Sequence, residues 1–228
     1  MRFFIQFSYF GKAYHGWQNQ PNAITVQEVL ENAMSKLLNS PISVMGAGRT
    51  DTGVHAKEMY AHFDVEQLTK IPELLFRLNS YLPNDIAVQR IFEVKDDAHA
   101  RFNATARTYE YHISKTKDPF IMDMAHFIWK DLDLAKMNTA AEYLIGKKDF
   151  ECFSKSNTDV FTNICDLREA KWVVENDKLI FTITADRFLR NMVRALVGTL
   201  LNVGVGKYSA DYVNTILKSK DRTMAGAS

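Results

Sequence analysis

The chain opens with apolar and polar residues in weak alternation from Phe3 to Tyr9, the period of a half-buried strand. A different period follows. Thr25-Val26-Gln27-Glu28 has the Thr-x-x-Glu form of a capping box, and Val26, Val29, Leu30, Ala33, Met34, Leu37 and Leu38 recur behind it at helical spacing. A short apolar strand, Ile42-Ser43-Val44-Met45, and an alternating one, Met59 to Val65, enclose a glycine-rich loop. Pro72 suits the first turn of a second helix carrying Leu74, Leu75, Leu78 and Tyr81; Leu82-Pro83-Asn84-Asp85 breaks it before a strand from Ile86 to Val94.

Beyond residue 104 the pattern recurs. Thr105 to Ser114 predicts a strand, and Asp133 predicts the cap of a helix through Leu134, Met137, Ala140, Ala141, Leu144 and Ile145, closed by Gly146. Lys171 to Val174 and Leu179 to Thr184 flank Asn176-Asp177, a hairpin signal. A long helix with Phe188, Leu189, Met192, Val193, Leu196, Val197 and Leu200 turned inward should end near Gly204, and a last helix should run from about Ala210 to Leu217. Two α+β lobes, 1–104 and 105–228, are the economical reading.

Composition narrows the class. An apolar fraction of 46% with 24% charged residues fits a globular protein, and no apolar run approaches bilayer length, so a membrane partner is not expected. The start is too short and strand-like for a signal peptide, which makes the cytoplasm the expected location. Cys152 and Cys165 form no Cys-x-x-Cys pair and read as core thiols. A net charge of +1 gives no global case for nucleic acid. Locally, His99, Arg101, Arg107, His112, Lys115 and Lys117 crowd one stretch, and Arg187, Arg190 and Arg194 another; solvated faces and a phosphate track both remain open.

The loop Gly46-Ala47-Gly48-Arg49-Thr50-Asp51-Thr52-Gly53-Val54-His55 puts one carboxylate beside an arginine between two strands, where catalytic groups are commonly placed. It is neither a dinucleotide fingerprint, since Asp51 stands where a third glycine is required, nor a P-loop, since no Gly-Lys-Ser/Thr follows. A metal site of His55, His62 and Asp51 lacks ligand spacing. Asp51-Thr52-Gly53 is also the aspartic-protease triplet, but Arg49 would oppose the shared proton of a dyad. A lone aspartate acting as nucleophile or base in a dry pocket needs a compensating cation. Arg49 could supply it, an ion pair at ~4 Å being worth roughly 4 kcal/mol at an effective dielectric near 20. It can equally be a clamp that only shapes the loop.

Gly48-Arg49-Thr50-Asp51-x-Gly53-Val54-His55 resembles the signature of the tRNA pseudouridine synthase A family. Tyr14-x-Gly16-Trp17-Gln18, Val26-Gln27-Glu28, Leu78-Asn79, Leu82-Pro83-x-Asp85-Ile86, His99-Ala100-Arg101-Phe102, Ala104-x-Ala106-Arg107-x-Tyr109-x-Tyr111, Met192-Val193-Arg194 and Val197-Gly198-x-Leu200 are similar to its other landmarks, in the same order. The resemblance implies the pseudouridine synthase fold: two ferredoxin-like, RRM-like α+β lobes sharing an extended, mainly antiparallel sheet, with an active-site cleft between them. It implies a homodimer that isomerises uridine to pseudouridine in the anticodon arm of tRNA without cofactor or metal. Asp51 would be the catalytic carboxylate. Tyr109 would stack on the base and take or relay its C5 proton, Arg49 would hold the flipped nucleotide, and Arg194 would pair with the aspartate. Arg101, Arg107, His55 and Arg190 would be further RNA contacts.

The sequence departs from the family at Phe10, Ala98 and Thr52, none of which removes a group the chemistry needs. The family's closing Gly-Leu strand is expected to be missing after Ala225-Gly226-Ala227-Ser228. A catalytically silent tRNA-binding or folding protein and, more distantly, a homodimeric aspartic protease stand as alternatives.

Overall fold

In the computed structural model, which describes residues 1–155 and 161–227, alternation produces the first strand. β1 (Arg2–Tyr9) buries Phe3, Ile5, Phe7 and Tyr9 and turns Arg2, Phe4, Gln6 and Ser8 the other way. α1 (Val26–Leu38) starts where the capping residue predicts: Thr25 Oγ1 accepts the Glu28 amide at 3.3 Å. It stops at Asn39, whose φ of 52° no helix can continue. β2 (Met45–Gly46) and β3 (Ala56–Asp64) bracket the glycine-rich loop, α2 (Ile71–Tyr81) carries Pro72 in its first turn, and β4 (Ile86–Val94) completes the set. The antiparallel sheet has the order β2-β3-β1-β4, the ferredoxin-like arrangement, and Leu30, Met34, Leu74 and Leu78 from the helices share one core with Phe3, Ile5 and Phe7.

The remaining elements are β5 (Arg107–Ser114), β6 (His126–Phe127), α3 (Leu134–Glu142), β7 (Gly146–Asp149), β8 (Ile164–Glu175), β9 (Lys178–Ala185), α4 (Met192–Gly204) and α5 (Tyr212–Ser219). Their sheet has the order β6-β5-β9-β8-β7, antiparallel except for the β5–β6 pair. Asn176 and Asp177, at φ 48° and 61°, make the tight turn between β8 and β9. Trp172 and Phe181 stack at 4.9 Å in a core that also holds Phe150, Phe153, Met192 and Leu196. Cys152 and Cys165 are free and buried, and burial pushes their thiols up to about 12 and about 11, which leaves them protonated and unreactive at neutral pH. The chain divides into two compact units, Met1–Ala104 and Thr105–Ser228.

Several boundaries differ from the sequence reading. Ile42 and Val44 are buried, but only Met45 and Gly46 join the sheet. α3 ends at Glu142, because Leu144 and Ile145 bond back to Ala141 and Glu142 in tighter turns; Gly146, at φ 99°, opens β7. Phe188 and Leu189 lie outside α4, since Asn191 at φ 66° interrupts any helix there. α5 starts at Tyr212 rather than Ala210, and β8 begins at Ile164, well before Lys171. Ser228, at the expected missing strand, lies outside the described residues together with 156–160.

Candidate active site

The Asp51 loop leaves β2 and returns as β3, whose pairing of Met45 with His62 and Gly46 with Ala61 fixes its base. Within it, Val54 N–H donates to Asp51 C=O at 3.2 Å, closing a four-residue turn with Gly53 at φ 77°. Asp51 is the first residue of that turn and is exposed. Arg49 is exposed as well, and the two form no ion pair. The dry, arginine-paired carboxylate anticipated from sequence is therefore not the arrangement of this loop, whose backbone turns both side chains outward.

A strap of residues 9–17, which starts at the last residue of β1, holds the loop. Tyr9 Oη and Thr50 Oγ1 lie 2.8 Å apart, and Trp17 N–H donates to Thr50 C=O at 3.2 Å. Gly53 N–H reaches Tyr14 C=O at 3.4 Å. Gly11 N–H donates to His55 Nδ1 at 2.8 Å, and the Phe10 ring stacks on that imidazole at 4.0 Å, 12° from parallel. Gly16 is obligatory twice over, because its φ is 86° and a Cβ there would meet Thr50 C=O at 2.3 Å. The strap is itself pinned. Tyr14 donates its hydroxyl to Asp85 Oδ1 at 2.6 Å, and burial, with Asp85 beside it, drives the phenol well above its ordinary range. Gly16 and Trp17 carbonyls accept the first amides of α1, from Val26 and Gln27. Motifs far apart in sequence, from Tyr14 to Asp85, thus form one hydrogen-bonded assembly around Asp51.

The His99-Ala100-Arg101-Phe102 motif is a turn built on two imidazoles. His62 Nδ1 accepts Ala100 N–H at 3.2 Å, and His99 Nδ1 accepts the Arg101 and Phe102 amides at 3.1 and 3.3 Å. Burial, then the charges of Arg2 and His99, hold the His62 imidazole below its ordinary value. Arg101 and Phe102 are exposed, with the guanidinium 5.9 Å from the ring centre.

In the second unit Tyr109 lies on β5 opposite Ile183, half-buried, with its ring edge-on to Phe188 at 5.1 Å. Tyr111 follows on the same face; burial raises its phenol and Arg194 opposes that rise. Arg194 stands exposed in the first turn of α4, and Arg190 is exposed just before it. Arg107 is half-buried and donates Nη1 to Asp186 C=O at 2.8 Å. The sequence reading gave Asp85 and Phe188 no supporting role at the site and did not pair His62 with His99. Phe188 was hidden because it fits the helical spacing of α4. Asp85 stood in view within Leu82-Pro83-x-Asp85, but its partner Tyr14 is distant in sequence.

Among the described residues, no three His, Cys, Asp or Glu side chains converge as a metal site, and no helix is long and apolar enough to cross a membrane. Comparison with known proteins gives a consistent result. The profile of a family described as tRNA pseudouridine synthase matches residues 5–103 and 140–228. The chain is 51% identical over 229 residues to the tRNA pseudouridine synthase A of Bacteroides fragilis, covering 100% of this chain and 91% of the relative. It is 49% identical over 230 residues to that of Parabacteroides distasonis, covering 100% and 90%. With that of Francisella tularensis subsp. holarctica it shares 38% identity over 227 residues, covering 98% and 87%.

Proposed function

Since the chain belongs to the tRNA pseudouridine synthase family, and so isomerises uridine in tRNA, we propose that Asp51 is the carboxylate that drives the reaction and that its substrates are uridines of the anticodon arm. The conversion breaks the bond from N1 of uracil to C1′ of ribose, turns the base and joins C5 to C1′. The proton released from C5 is balanced by one gained at N1, so no electrons or atoms are lost. This balance calls for positioned acid, base and nucleophile groups rather than a redox cofactor.

Asp51 attacks the nucleotide or removes a proton during glycal formation. Tyr109 stacks on the uracil and takes or relays the C5 proton, a role suited to a half-buried phenol whose ring is braced edge-on by Phe188. Arg49 holds the nucleotide out of its helix, and Arg194 is a further cation that binds the substrate. The reacting atoms are unreachable in a stacked stem, so the base must be flipped. Arg101, Arg107 and Arg190 contact the RNA backbone, where cations position rather than read sequence. The protein works as a homodimer in the cytoplasm.

The observation that carries this reading is the exposed Asp51 at the start of a turn clamped on both sides by hydrogen bonds from the strap. A carboxylate so held is preorganised for an incoming group. The test uses tRNA carrying tritium at uracil C5 in the anticodon arm alone. Release to water by the wild type is expected. Binding without release would point to a silent tRNA binder, and release only from label placed elsewhere would move the substrate out of the anticodon arm.

A further inference from the structure

We propose that His55 is a positioning residue: its imidazole anchors the trailing end of the Asp51 loop to the strap, and it governs turnover rather than tRNA affinity. This rests on Asp51 being the catalytic carboxylate. His55 is the last residue before β3 and sits just beyond the turn that Asp51 opens. Its Nδ1 accepts the Gly11 amide at 2.8 Å, which requires an unprotonated Nδ1 and places the ring proton of the neutral imidazole on Nε2. Its face lies on Phe10 at 4.0 Å, and Phe10 is fixed in turn by its N–H to Asp85 C=O at 2.8 Å. The strap also touches the loop backbone directly, since a Cβ on Gly11 would fall 2.0 Å from Val54 C=O.

The loop is therefore held at Thr50 by Tyr9 and Trp17, and at His55 by Gly11 and Phe10, with only Asp51 to Val54 between. Releasing His55 leaves the trailing side of the loop on the long Gly53 N–H to Tyr14 C=O bond, 3.4 Å, and lets Asp51 shift about Thr50. Displacing a reacting group by ~1 Å can cost on the order of 100-fold in rate. An RNA contact would behave differently, weakening binding and sparing the chemical step.

Three proteins decide it: the wild type, His55→Ala and His55→Asn, whose Oδ1 replaces Nδ1 as the acceptor. His55→Ala should lower kcat by roughly 10- to 100-fold while the Kd for tRNA stays within about 2-fold, and His55→Asn should restore most of the rate. Exchange of the Gly11 amide, followed without RNA, should be slow in the wild type and in His55→Asn and fast in His55→Ala, at similar Tm. A raised Kd with kcat preserved would overturn the proposal in favour of an RNA contact. An Asn variant no better than Ala, or a Gly11 amide equally protected in all three, would overturn it outright. If the wild type released no tritium, the Asp51 reading would fall, while the anchor would still be decided by the Gly11 amide.

Discussion

The amino-terminal unit runs β-α-β-β-α-β and the carboxy-terminal one β-β-α-β-β-β-α-α, and they flank their first strands differently. β1 lies between β3 and β4, antiparallel to both along most of its length. β5 has β9 along one side, but within its own sheet β6 covers only Ile113 and Ser114 on the other, and in parallel. Functional groups are presented differently as a result. The first unit displays Asp51 on an irregular loop, made definite by a second irregular segment that springs from the end of a fully embedded strand. The second unit displays Tyr109 and Arg194 from regular elements, where strand register and helix start set the direction. A clamped loop is vulnerable at its contact points, whereas a side chain on a strand is vulnerable through its core.

The largest effect should come from Gly16→Ala, which combines a left-handed φ with a backbone clash and should cost about 3 kcal/mol. Gly206→Ala in the second unit shares the positive φ, 76°, but meets nothing within 4 Å and should cost about 1 kcal/mol. Urea unfolding of both variants checks this, and equal losses would break the contrast. Helix caps should behave alike in the two units: Thr25→Ala and Asp133→Ala each remove a side-chain acceptor for a first-turn amide and should each cost about 1 kcal/mol. Asp177→Gly relieves a left-handed residue in a two-residue hairpin and should stabilise by about 0.5 kcal/mol, readable as a small rise in Tm.

The least abrupt effect is a pH slope confined to one unit. Folding holds His62 below its ordinary value, so the unfolded chain takes the proton more readily. The stability His62 contributes is complete above the unfolded imidazole pKa of about 6.5 and is lost as the pH falls from there through the lower folded value. Asp64, held low by its bond to Arg2, contributes stability that is present above the unfolded carboxylate value of about 4 and lost only below it. Between pH 7 and 5, exchange protection corrected for intrinsic rates should therefore weaken around β3 and the Ala98–Asn103 turn before it weakens in β8 and β9. His62→Gln should flatten that slope. Earlier weakening in β8 and β9 would reverse the comparison.

Local chemistry made much of the fold legible. Thr25 announces α1, Pro72 the start of α2 and Asn176-Asp177 the β8–β9 turn, because each acts through its nearest neighbours. β6 and β7 gave no such signal: they are short and lack a buried alternating face, and only their partners β5 and β8 make them strands. α4 was read too early because Phe188 and Leu189 satisfy a helical period that Asn191 interrupts. At the candidate site the motif located Asp51, but its supports were invisible. Tyr14 reaches Asp85, Gly11 reaches His55 and His62 reaches Ala100 only once the chain has folded. Proximity in sequence suggested an Arg49–Asp51 pair that the loop does not form.

The central claim is that the Asp51 carboxylate carries the chemistry, and the most direct measurement is single-turnover release of tritium from C5-labelled tRNA by Asp51→Asn. The substitution keeps size and removes the charge on an exposed side chain, so Tm and tRNA affinity should match the wild type while release disappears. Release at an appreciable fraction of the wild-type rate would contradict the account and return Asp51 to the status of a loop residue.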